Sequence, residues 1–121
     1  MRQFDHEKLH VYQSAITLVA WSSDLLMDIP KSLSVHNQFD RASTSIPLNI
    51  AEGNGKYTSA DRCRFFDTAR GSALECAACL DVLVAKKITE KPVAYEGMRF
   101  LLEIVSMLVG LIRSNSPSRD V

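Results

Sequence analysis

Three short stretches of this 121-residue chain carry residue types and spacings that could do chemistry. His6-Glu7-Lys8-Leu9-His10 fits H-E-x-x-H, which on a helix sets two imidazoles on one face for zinc and adds a carboxylate as base. Cys76-Ala77-Ala78-Cys79 fits C-x-x-C, the spacing of dithiol redox centres and of half a zinc site. Gly53-Asn54-Gly55-Lys56 has the closing glycine-lysine step of a phosphate loop.

Context weakens each of them. The histidine pair stands at the start of the chain, and His36 is the only other histidine. The cysteine pair falls inside a helical pattern, away from the helix N-terminus that would lower a thiol pKa. Small core cysteines are the simpler reading. The loop lacks the first P-loop glycine, because Ile50 stands there, and Tyr57 replaces the Ser/Thr. No catalytic residue, metal or cofactor is therefore expected. The alternative kept open is a small metal-dependent or redox enzyme built on His6, Glu7 and His10 or on Cys76 and Cys79.

Two polar groupings remain. Arg41, Ser45, Asn49 and Glu52 follow helical spacing, and Arg70 and Glu75 lie further along the chain. Charged groups near a core need partners, so a hydrogen-bonded network between two helices is expected of these six. Lys56, Arg62 and Arg64 gather near one helix start, and Lys86, Lys87 and Lys91 at the other end. Each group is ordinarily a solvated terminus. The first is also a candidate nucleic-acid patch if copies assemble and repeat it.

The elements that must position these residues are helical. Fourteen Lys+Arg balance fourteen Asp+Glu, which argues against a strongly basic polyanion binder. Hydrophobic residues make up 46% of the chain and charged residues 23%, the balance of a folded globular domain. The length suits one domain over residues 1–121. The start has no apolar leader, the longest apolar run is too short to span a membrane, and three cysteines are few for a secreted domain. A cytoplasmic, non-membrane protein is expected.

Apolar residues recur at three and four throughout. The spacing predicts helices over roughly Glu7 to Ile29, Val35 to Glu52, Thr58 to Lys87 and Pro92 to Arg113. Pro30 stops the first. Pro47 lies inside the second and should bend it without breaking it. Gly53-Asn54-Gly55, residues that tolerate positive φ, should end that helix. Thr58 to Asp61 reads as a capping box, and residues 114–121 as a frayed tail. Short connections make this an all-α, antiparallel up-and-down four-helix bundle.

The fourth helix is apolar over about 220° of its circumference, where a bundle helix needs little more than 100°. Such a surplus predicts self-association. Trp21, about 120° from the centre of the first helix's stripe, belongs to the same candidate interface. Phe100 and Leu108 complete it.

Ser45-Ile46-Pro47-Leu48-Asn49-Ile50-Ala51-Glu52-Gly53, preceded by Gln38, Arg41 and Ala42, resembles the signature of helical proteins encoded within insertions of 23S rRNA genes. Arg64-Phe65-Phe66 with Ala69-Arg70-Gly71-Ser72 and Glu75 is similar to the second motif of that intervening-sequence family. Leu9, Val11-Tyr12-Gln13 and Ala15 are similar to its opening. The resemblance, over about residues 4 to 85, implies a four-helix bundle assembled as a homopentameric ring. A related branch, the accessory variability proteins of diversity-generating retroelements, implies binding to RNA or DNA and to a reverse transcriptase. Asp40 and Lys56 stand where relatives often carry arginine, which runs against nucleic-acid binding.

Overall fold

The computed structural model describes residues 3–116. Its helices are α1 (His10–Leu26), α2 (Ser34–Asn54), α3 (Ser59–Ala85) and α4 (Lys91–Asn115), and no strand occurs among the described residues. Specific contacts fix their directions. Ser45 on α2 meets Ser72 on α3, while Gly53 lies against Phe65 and Phe66. As one number rises the other falls, so α2 and α3 run antiparallel. Cys63 opposite Ile112 and Leu80 opposite Gly97 show the same for α3 and α4. Trp21 against Gly97 and His10 beside Met107 do so for α1 and α4. Each helix packs on its sequence neighbours, and α1 closes the bundle on α4.

The stripes read from periodicity form the core. Leu18, Phe39, Ile46, Ile50, Phe66, Leu80, Leu83, Ile104, Leu108 and Ile112 are completely enclosed. Each such side chain contributes about 1.5–3 kcal/mol by leaving water. Thr58 caps α3, its hydroxyl accepting from the Asp61 N–H at 3.1 Å. Pro92 occupies the first turn of α4, where its missing N–H costs no helical bond. The α2 helix runs unbroken through Pro47.

Several boundaries differ from expectation. Residues Asp5–Lys8 form a separate 3-10 turn, and Leu9 is extended (φ −73°, ψ 127°), so α1 starts at His10 rather than Glu7. The Asn54 amide donates to Asp5 Oδ2 at 2.9 Å and pins that turn to the end of α2. As expected, α2 ends within Gly53-Asn54-Gly55, at Asn54 with Gly55 as its C-cap, but with φ −85° at Gly55 and not through Gly53. Gly53 lies within the helix, where a Cβ would come 2.9 Å from Phe66 Cε1 and 3.0 Å from Phe65 Cβ. That glycine lets two helices approach. The α4 helix includes Ser114 and Asn115, so the expected frayed tail begins later than residue 114. Its remainder, from residue 117, lies outside the described residues.

Candidate functional site: a polar cleft between the second and third helices

On the α2–α3 seam, Ala42, Ser45 and Ser72 are too small to fill the space between the helices. A cleft of about 270 Å³ opens there, bordered also by Gln38, Arg41 and Glu75. Its floor is ordered by hydrogen bonds. Asn49 Nδ2 donates to the Ser45 carbonyl at 2.9 Å and to Ser45 Oγ at 2.8 Å, and the carbonyl contact fixes which amide atom is nitrogen. Ser45 Oγ and Ser72 Oγ are 2.9 Å apart. One hydroxyl donates to the other, so one O–H of the pair stays unused within the protein.

Arg41 and Glu75 face this cleft from different helices, both exposed, and neither has an ion pair or side-chain hydrogen bond among the described residues. Of the six residues expected to form one network, the structure therefore brings four together. Ser45 and Asn49 bond to each other, and Arg41 and Glu75 line the adjoining space. Glu52 instead pairs with Lys56 at 3.5 Å, and Arg70 with Asp67 at 3.3 Å, each with a partner three or four residues away along the chain. Gln38 and Ser72 complete the cleft and were missed as network members. Their spacing, one turn before Arg41 and one before Glu75, was the available signal.

The metal and redox spacings do not form centres. The extended Leu9 interrupts the helix that H-E-x-x-H requires, and the two imidazoles part company. His6 stacks on Phe4 and meets Tyr12 edge-on, beside Leu48 and Glu52. His10 lies in a different groove with Glu103 and Met107. No cluster of three His, Cys, Asp or Glu side chains suited to a metal occurs among the described residues. Cys76 and Cys79 are buried free thiols. Burial, then the neighbouring Cys79 and Glu75, pushes the Cys76 thiol up to about 12. Cys79 is raised as well, by burial and then Glu75. A redox thiol needs the opposite shift.

Within the basic cluster, Arg62 is committed elsewhere. Its Nε donates to Asn115 Oδ1 at 2.8 Å and its Nη1 to the Asn54 carbonyl at 2.7 Å, while the guanidinium lies over the Phe66 ring. It clasps the α2–α3 corner to the end of α4 and is a structural residue, not a free phosphate contact. Lys56 and Arg64 both approach the Phe65 ring, and Arg64 pairs with Asp61 at 3.3 Å.

The candidate interface also needs correction. Leu108 is 0% exposed and belongs to the protomer's own core. Trp21 is half-buried against Gly97 and Leu80, with its ring 6.3 Å from that of Phe100. Both aromatic rings thus stabilise the α1–α4 seam. The most exposed apolar side chain of α4 is Leu102, on the other side of the helix from Phe100.

Comparison with known proteins bears on the whole arrangement. No helix among the described residues is long and apolar enough to cross a membrane. A search of curated proteins found no match. A solved structure from Bacteroides thetaiotaomicron VPI-5482, a protein of unknown function from the S23 ribosomal protein family, superposes with a TM-score of 0.80 at 21% identity. The match covers 85% of this chain and 98% of that one, and at such identity it speaks for the fold alone. The family described as 23S rRNA-intervening sequence protein matches residues 7–110, which include both cleft-forming segments, and the chain belongs to that family.

Proposed function

We propose that this protein acts without enzymatic chemistry, as a self-assembling helical scaffold in the cytoplasm, in the pentameric ring that the family resemblance implies. One observation carries the reading. Leu102 on α4 is 71% exposed and Leu74 on α3 is 50% exposed. The antiparallel register given by Leu80–Gly97 and Cys63–Ile112 sets the two residues level. Phe100, about 200° around α4 from Leu102, faces α1, so Leu102 is on the α3 side. Partly exposed Val109 extends the strip along α4. A contiguous apolar strip is the usual mark of a protein–protein contact.

Sedimentation velocity on the purified chain tests this. The wild-type protein should run as a multiple of 13.5 kDa, with Leu102→Glu shifting it toward the single chain at unchanged helicity. A wild-type protein sedimenting as one chain at micromolar concentration would remove the proposal.

Association with RNA or DNA is a second reading, supported by one feature. Tyr57, fully exposed, sits in the α2–α3 corner beside Lys56 and near Arg64, and exposed rings among cations suit unpaired bases. With Arg62 occupied and Glu52 and Asp61 alongside, the electrostatic contribution is small. A single-stranded oligonucleotide should bind at low salt, weaken as salt rises, and bind less well to Tyr57→Ala. Equal binding by that variant would discard this reading.

A further inference from the structure

We propose that the α2–α3 cleft binds a small zwitterion of amino-acid size, its acidic group held by Arg41 and its ammonium group by Glu75. The inference does not rest on self-assembly.

Four observations carry it. First, the space is made by sequence: Ala42, Ser45 and Ser72 stand where larger side chains would close the seam. Its volume of about 270 Å³ is just below the usual range for small-molecule sites, which favours a compact ligand. Second, opposite charges line it without neutralising each other. Arg41 and Glu75 come from different helices, and no ion pair within 4.0 Å joins them. A guanidinium offers a planar fork of donors to a carboxylate, whereas a lone carboxylate attracts an ammonium group. Third, the Ser45–Ser72 pair leaves one hydroxyl hydrogen unused, and both residues border the cleft. That hydrogen adds a donor to the cleft, about one helical turn from both Arg41 and Glu75. Fourth, the two segments that carry the family resemblance meet here. Gln38, Arg41 and Ser45 belong to one and Ser72 and Glu75 to the other.

Glu75 also sets the class. A phosphate or a nucleic-acid backbone drawn to Arg41 would also meet the Glu75 carboxylate, which repels it. A simple cation would meet Arg41. A molecule with both charges satisfies the pair, and the Gln38 amide can donate or accept along its length.

The test is a chemical-shift titration of the isotopically labelled full chain with the standard L-amino acids, each to about 10 mM, a range that detects weak millimolar binding. Acetate and methylammonium serve as single-charge controls. At least one amino acid should shift the signals of Gln38, Arg41, Ser45, Ser72 and Glu75 together. Arg41→Met and Glu75→Gln, both at exposed positions, should each weaken that binding about tenfold or more, with circular dichroism confirming the fold. The proposal is overturned if no amino acid moves those signals. It is also overturned if acetate alone moves them as strongly, or if both variants bind as the wild type does.

Discussion

The indole of Trp21 packs directly on Gly97. A Cβ at residue 97 would stand 2.5 Å from Trp21 Cη2 and 2.9 Å from Leu80 Cδ1. The missing side chain is therefore what allows α1 to lie on α4 at this level. Alanine is the better helix former by about 1 kcal/mol, but overpacking a filled site costs about 1–3 kcal/mol. Gly97→Ala should lower the urea midpoint and alter the fluorescence of Trp21, the only tryptophan. Unchanged stability and emission would contradict the close packing.

Arg62 makes a second prediction because its bonds tie the start of α3 both to the end of α2 and to the end of α4, 53 residues on. Arg62→Met keeps much of the aliphatic stem over Phe66 yet removes the donors to Asn54 and Asn115. Hydrogen bonds from a charged donor contribute about 1.5–3 kcal/mol each at most, less for a partly solvated group. The variant should lose thermal stability, and amide exchange should speed up at the last turn of α4. Lys56→Met should leave both nearly unchanged, since a surface ion pair contributes about 1 kcal/mol or less.

These two positions show where a sequence is readable and where it is not. The helices were legible because a buried stripe must repeat with the helical period, and Thr58 and Pro92 open two of them through local chemistry, whereas α1 already ends at Leu26, ahead of Pro30. The row holding Arg41 and Ser45, with Asn49 beside it, was legible because residues three and four apart share a helix face. The division of the polar network was not. Glu52 and Arg70 found partners three or four residues away, while Ser72 entered the site from another helix. H-E-x-x-H was rightly set aside on its context, but the physical reason was hidden: its meaning requires a continuous helix, and the tertiary contact between Asp5 and Asn54 stabilises a separate turn there. Gly53 and Gly97 look like weak points in a helix until the neighbouring aromatic rings are placed.

Lys87 is the one non-glycine residue with positive φ among those described, at 61°. Its N–H bonds to the Val84 carbonyl and the Ile88 N–H to that of Leu83, the paired contacts of a Schellman turn ending α3. A side chain in this conformation costs about 1 kcal/mol relative to glycine. Lys87→Gly should therefore raise the unfolding free energy by roughly that amount. A loss of stability would mean that the lysine side chain contributes more than the backbone strain.

Cys76 predicts an alkaline dependence. Burial raises its thiol from 9.0 to about 12 in the folded chain, so the folded state holds its proton where the unfolded state releases it. Stability from this group is complete below about pH 9 and declines as pH rises from there toward about 12. Cys79, shifted in the same direction, adds to the decline. Urea unfolding at about pH 8 and about pH 10 should show a loss on the order of 1 kcal/mol that is reduced in Cys76→Ala. The native thiols should also react slowly with a disulfide reagent at about pH 8 and quickly once unfolded. Fast reaction of Cys76 in the native state would contradict its burial.

Gly71 and Gly110 give a sharper test of self-assembly than any apolar substitution. Both lie inside helices, and a Cβ at either would meet nothing within 4 Å. Unlike Gly53 and Gly97, they serve no packing within the protomer, yet each weakens its helix by about 1 kcal/mol relative to alanine. Close approach of a neighbouring copy would account for that. Two effects should then separate. In a Leu102→Glu background, where the copies are apart, Gly71→Ala and Gly110→Ala should each stabilise the chain by up to about 1 kcal/mol. In the otherwise wild-type protein the same changes should weaken assembly in sedimentation, because the new methyl groups stand between the copies. If both variants raise stability and leave the sedimenting mass untouched, these glycines lie outside the contact, and the surfaces around residues 71 and 110 face water in the assembled state.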